Sequence, residues 1–149
     1  MIDSLRAALS RGRELTISGL RGASPALVAG LIDECPCCCI LPDDQMLPGF
    51  ARDLRLFTAR PIILFPGYDI APYARLSPDA DSAAQRLSAL YRMLEAGKDA
   101  IILTCAEALA RCLPPREALS QQAELIVRDG DAPRDALLAR LTTMGYEQV

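Results

Sequence analysis

The hydrophobic positions of this chain change period several times, and each change marks an element. Ile2 to Leu9 is amphipathic at helical spacing, and Glu14 to Ser18 is a short β-rich run that ends in the glycine turn Gly19 to Gly22. Ser24 followed by Pro25 suits an N-cap and a first helical position, which predicts a buried helix from Ala26 to Ile32, closed by Asp33 and Glu34. Cys37 to Leu41 is a continuous apolar run between Pro36 and Pro42, the pattern of a strand covered on both faces. Asp43 or Asp44 can cap a helix reaching to about Phe57, with Leu47, Phe50, Leu54 and Phe57 on one side.

Pro61 precedes a third strand, Ile62 to Phe65, which Pro66 and Gly67 close. A long helix begins near Asp81, carries Ala84, Leu87, Leu90, Tyr91 and Leu94 at helical spacing, and ends at Gly97. The run from Ala100 to Thr104 is the fourth strand. Strands alternating with helices require right-handed crossovers, so the fold class is α/β with a mostly parallel sheet flanked by helices. After Leu113 to Pro115 the character changes to a short helical stretch, Arg116 to Gln121, a strand-like run, Glu124 to Val127, and a turn at Asp129 and Gly130. A last helix passes through Leu137, Leu138 and Leu141 to Gly145. The predicted division is a first module over 1–117 and the start of a second, α+β module over 118–149, too small to bury a core alone.

Composition narrows the chemistry. A length of 149 residues allows one full core, and apolar content dominated by Ala, Leu and Ile with no Trp suits helices on a buried sheet. The net charge of −3 argues against free-standing nucleic-acid binding, which needs a concentrated basic surface. The most basic stretch, Arg6, Arg11, Arg13 and Arg21 against Asp3 and Glu14, reads as a solvated helix face, with a weak local DNA contact left open. No apolar run reaches the roughly 20 residues that span a bilayer, and no signal core follows the N-terminus, so a cytoplasmic protein without a membrane partner is expected. With 0 histidines, Ser-His-Asp and Cys-His catalysis and every imidazole-bearing zinc site are excluded. Six cysteines in such a chain are expected to stay reduced.

Three segments hold candidate chemistry. Gly19 to Ala26 occupies the place of a phosphate-binding loop between a strand and a helix. Such a loop needs a lysine on the phosphates, a hydroxyl on Mg²⁺ and free backbone N–H groups. When Gly19 and Gly22 are aligned with the first loop glycines, Pro25 stands where the lysine belongs and Ala26 where the hydroxyl belongs, and proline removes an N–H. A degenerate P-loop with no bound cofactor is the expectation. Cys35 to Cys39 looks like a metal cluster, yet three consecutive cysteines on a strand alternate faces and cannot converge on one tetrahedral ion, so packing is expected. Cys105 and Cys112 are read as helix-face packing. The third segment is the proline-rich loop from Tyr68 to Pro78 and the helix start behind it. It reads either as a stiff docking surface or as a structured connection in which Tyr73 packs on the helix and Arg86 pairs with an acid such as Asp69.

At this third segment the chain resembles the transcription-repair coupling factor family, whose N-terminal region is itself similar to the UvrB helicase. The string runs through Tyr68, Asp69, Pro72, Tyr73, Ser77, Pro78, Asp81, Arg86 and Leu87 to Ser88, Leu90 and Tyr91. The similarity continues in the strand with Pro42 and Asp43, in Ile101 to Leu103 with Ala108 and Leu109, and in Gly130, Arg134, Leu137, Leu141, Gly145, Tyr146 and Val149. The resemblance implies a RecA-like, P-loop-NTPase-like first domain with a decayed phosphate loop, followed by the opening of the module that recruits UvrA.

What the resemblance implies, then, is an N-terminal fragment, not itself an enzyme. It would scaffold UvrA recruitment and help repress an ATP-dependent translocase that meets DNA and RNA polymerase only through its other parts. The alternatives are a small nucleotide-dependent enzyme with an atypical phosphate loop, and a cysteine-based metal or redox module.

Overall fold

A computed structural model describes residues 2–11, 14–32, 36–68, 70, 77–122, 133–143 and 146 of the chain. At its centre β1 (Cys37–Leu41), β2 (Ile62–Phe65) and β3 (Ile101–Cys105) run parallel in the order β1-β3-β2. Ile101 on the middle strand lies opposite both Cys37 and Ile62. The helices are α1 (Ile2–Leu9), α2 (Ser24–Gly30), α3 (Met46–Leu54), α4 (Ala80–Ala96) and α5 (Ala106–Leu109), followed by α6 (Arg116–Gln122) and α7 (Arg134–Thr143). The chain divides into two compact units, Met1–Cys112 and Leu113–Val149. In the second, Leu137, Leu138 and Leu141 of α7 are half-buried and Tyr146 is exposed.

Side chains alternate across the sheet, and helices cover both faces. On one face Ala26, Ala29, Leu47, Ala51 and Leu54 of α2 and α3 pack on Cys37, Ile101 and Leu103. On the other, Ala89 of α4 and Ala108 of α5 pack on Ile63 and Phe65. Full burial of Leu54, Ile63, Ile101 and Leu103 contributes roughly 1.5–3 kcal/mol per side chain, which makes β3 the axis of the core. At the N-terminal ends of the strands Arg60 ties the layers together. Its guanidinium donates to the carbonyls of Ile32 (2.6 Å), Asp99 (2.9 Å), Lys98 (3.3 Å) and Ala100 (3.4 Å).

Several expectations are corrected. Residues 14–20 carry no regular structure, so the strand expected from Glu14 to Ser18 does not form; its run pairs with no strand among the described residues, and Leu15 stays 45% exposed. Helix α2 starts at Ser24 and ends at Gly30, ahead of the expected span. Strand β1 is covered on one face only: Cys37 is buried, while Cys38 and Ile40 on the opposite face are exposed, because α4 and α5 sit over β2 and β3. Helix α3 starts at Met46, after a turn in which Asp43 accepts the Met46 N–H (3.1 Å), and it stops at Leu54, short of Phe57. Strand β3 ends one residue later than expected, which puts Cys105 on a strand and not on a helix face, while Cys112 is exposed and lies outside any helix.

The long helix, expected to begin near Asp81, starts at Ala80 and is capped by Asp79, whose carboxylate accepts the N–H groups of Asp81 (3.1 Å) and Ser82 (3.4 Å). Gly97 ends it at φ +56, a conformation that favours glycine. Its buried stripe is Arg86 and Ala89 with Leu90 and Met93 alongside, so Leu87 and Ala84, expected inside, are exposed. Asp33, Glu34, Cys35, Asp69, Pro72, Tyr73, Gly130, Gly145 and the run Glu124 to Val127 lie outside the described residues.

Close packing of α2 on the turn after α3 makes a testable demand. A Cβ added at Gly30 meets the Phe57 Cβ at 2.8 Å and its carbonyl oxygen at 3.3 Å, whereas one added at Gly49 in α3 meets nothing within 4 Å. In urea denaturation Gly30→Ala is therefore expected to lose about 1–3 kcal/mol by overpacking. Gly49→Ala is expected to gain about 0.5–1 kcal/mol from helix propensity. Equal effects of the two substitutions would contradict this packing.

Candidate functional site

Where the long helix crosses the C-terminal ends of β2 and β3, Arg86 is turned inward and left only 3% exposed. Its guanidinium carbon lies 4.2 Å from the Phe65 ring centroid and 4.3 Å from that of Tyr68. Its two terminal nitrogens donate to the carbonyls of Pro66 and Ala108, the second at 3.4 Å. Desolvating a cation is costly, and the rings' negative faces with two carbonyl dipoles offset that cost. Arg111 adds a second guanidinium 5.5 Å from the Tyr68 ring and donates to the Ile70 carbonyl (3.0 Å). Tyr68 is thereby fixed where the chain leaves the sheet.

The expected pairing of Arg86 with an acid such as Asp69 involves a residue outside the described ones. Among the described residues its partners are carbonyls and rings. Of the sequence-selected string, Tyr68 and Arg86 meet, Asp81 stands exposed in the first turn of α4, Ser77 is exposed ahead of it, and Leu87 points away. Phe65 and Arg111 were missed, and Ala108 was named only for the family resemblance. An aromatic at a strand's end and an arginine after a short helix were the available signals, but neither has a spacing that predicts contact.

Beside this anchor α3, β2 and α4 line a groove of about 530 Å³ that includes Asp44, Leu64, Ser88 and Arg92. Asp44 accepts the Gly67 N–H (2.8 Å) and lies 3.8 Å from the Cys105 sulfur, so part of its hydrogen-bonding capacity is spent on structure. Arg92 donates to the Ile62 carbonyl (3.4 Å).

The glycine loop before α2 is separate from this region. Gly19 (φ +78) and Gly22 (φ +57) both take the left-handed backbone that glycine permits. The Ser24 hydroxyl accepts the Arg21 N–H and donates to the Arg21 carbonyl, both at 2.7 Å, so it closes its own turn and caps no helix end. Pro25 sits in the first turn of α2, and Ala26 is buried in the core.

On β1 the sulfurs of Cys37 and Cys39 are 3.8 Å apart. The hydrogen bond with Cys39 holds the Cys37 thiol down at about 7, against the opposing effect of burial and with help from the Arg60 charge. The same hydrogen bond and burial push Cys39 up, and burial pushes Cys38 up.

Planarity is what the Arg86 site uses, since one flat group stacks on rings while its edge reaches two carbonyls. Arg86→Lys keeps the charge and is expected to lose about 2 kcal/mol of stability in urea denaturation. A lysine variant as stable as the original chain would remove the guanidinium from this role.

No family model matches the chain. Over 99% of its length it is 27% identical to the transcription-repair-coupling factor of Myxococcus xanthus. It is 28% identical over 74% of its length to that of Haemophilus influenzae, and 26% identical over 93% to that of Mycobacterium tuberculosis. The chain spans only 13%, 10% and 12% of the lengths of these proteins. The resemblance read from Tyr68 to Tyr91 thus extends along nearly the whole sequence, and at these identities this chain is similar to about a tenth of the length of each of these transcription-repair-coupling factors.

Proposed function

We propose that this chain is the N-terminal, UvrB-like segment of a transcription-repair coupling factor, with 1–117 a degenerate nucleotide-binding domain and 118–149 the opening of the module that recruits UvrA. On this reading it binds no nucleotide. It scaffolds UvrA recruitment in nucleotide excision repair and helps keep the parent translocase repressed, while contacts with DNA and RNA polymerase belong to the parent. The observation that carries the reading is the coupling-factor similarity along 99% of the chain. The chemistry of the glycine loop supports it, because Pro25 and Ala26 replace cation and hydroxyl and the Ser24 hydroxyl is committed to Arg21.

The docking part of the proposal rests on Tyr68 and Ile70. Arg86 and Arg111 hold the Tyr68 ring and the Ile70 carbonyl just after β2, and groups already held lose less entropy on binding than free ones. They therefore suit contact with a neighbouring module.

Calorimetric titration of the chain with millimolar Mg-ATP is expected to give a flat trace, and saturable heat would refute the degenerate loop. In a pull-down, the parent polypeptide is expected to retain UvrA and to lose most of it when residues 118–149 are removed. Undiminished retention would place UvrA recruitment elsewhere.

A further inference from the structure

Strand β2 pairs with β3 on one side only, so its other edge ends the sheet. The ladder fixes which backbone groups point outward there. Ile101 donates its N–H to the Pro61 carbonyl (2.8 Å) and is registered with Ile62, so Pro61, Ile63 and Phe65 turn their backbone groups to β3 while Ile62 and Leu64 turn theirs away. Arg92 donates to the Ile62 carbonyl at the long distance of 3.4 Å. Among the described residues the outward N–H and carbonyl of Leu64 meet no partner.

The groove of about 530 Å³ runs along this edge. Its walls come from α3 and α4, which pack on opposite faces of the sheet, and the strand residue between them is Leu64, so the opening passes around the outer side of β2. A smaller hollow of about 280 Å³ continues beyond Arg92, beside Pro61 and Ile63. An edge sunk between two helices is closed to the edge of another folded sheet and open to a single extended chain.

We propose that this edge of β2 binds an extended peptide that adds to the sheet as a further strand and carries one acidic side chain. Main-chain bonds to Leu64 supply affinity, and alternate side chains supply the choice of sequence. A peptide residue opposite Leu64 points to the α3 face, where Leu47 and Pro48 offer apolar surface. Its neighbours point to the α4 face, where Ser88 and Arg92 stand exposed. An acid there meets the Arg92 guanidinium, which exchanges its long bond to Ile62 for a charge-assisted one and frees that carbonyl for the incoming strand. Asp44 and Glu95, toward the two ends of the edge, disfavour further acids, so an apolar centre with a single acid beside it is selected. The site uses the backbone of β2 and the flanking helices, and it does not depend on the coupling-factor reading.

The test is a nuclear magnetic resonance titration of the isotope-labelled 149-residue chain with acetyl-Thr-Glu-Val-Thr-Thr-amide and acetyl-Thr-Thr-Val-Glu-Thr-amide, which place the acid for either strand direction. At millimolar peptide, one of them is expected to shift the amides of Ile62 and Leu64 saturably and to slow hydrogen exchange at Leu64. N-methylation of the central peptide residues removes main-chain donors and is expected to weaken binding about tenfold or more. Lysine in place of the glutamate is expected to weaken it about threefold or more, and Arg92→Gln to abolish that preference. Amide positions away from β2 report whether Arg92→Gln stays folded, and the peptide comparisons need no variant. Undiminished binding of the N-methylated peptide, no preference for glutamate over lysine, shifts centred on β1, or no saturable shift at millimolar peptide would each overturn the proposal.

Discussion

Burying a cation is tolerable only where favourable groups meet it from several sides, and among the described residues Arg86 draws dipoles and rings from three elements at once. The end of β2 supplies Phe65 and the Pro66 carbonyl, α5 supplies the Ala108 carbonyl, and the emerging loop supplies Tyr68. If any of these moves, the guanidinium is left desolvated and underbonded, so its placement fixes the angle of α4 against the sheet. Arg60 makes the matching closure at the other end, where its guanidinium gathers carbonyls that lead into β3 and follow α2. Each end of this small parallel sheet is thus closed by one arginine acting on backbone, and the apolar core between them has defined limits.

That division explains which parts were readable in advance. The three parallel strands, the crossover helices and the glycine ending α4 follow from periodicity and turn chemistry, which are local. The register of the α4 face was not readable, because hydrophobic spacing puts Leu87 inward and only tertiary context reveals that two aromatic rings make an inward-facing arginine favourable. The run from Glu14 to Ser18 has strand-like composition, but a strand exists through its pairing, and the sheet described here holds only β1, β3 and β2. For β1, a continuous apolar run suggested cover on both faces, while the helix positions leave Cys38 and Ile40 in the open.

At the candidate sites, absent chemistry was easier to read than contact. Pro25 and Ala26 follow directly from the sequence, and the structure adds that Ser24, the nearby hydroxyl, is turned onto Arg21. Tyr68 and Arg86 were selected together by family resemblance, but the physical link between them, a ring against a guanidinium, appears only in three dimensions.

The most direct measurement of this account is a double-mutant cycle on that link, using Arg86→Met, Tyr68→Leu and the pair in urea denaturation. If the stacked guanidinium closes the fold, the two substitutions are coupled by about 1–2 kcal/mol, the double variant losing less than the sum of the singles. Strict additivity would mean that ring and guanidinium contribute nothing to each other, and the account would fail at its starting point.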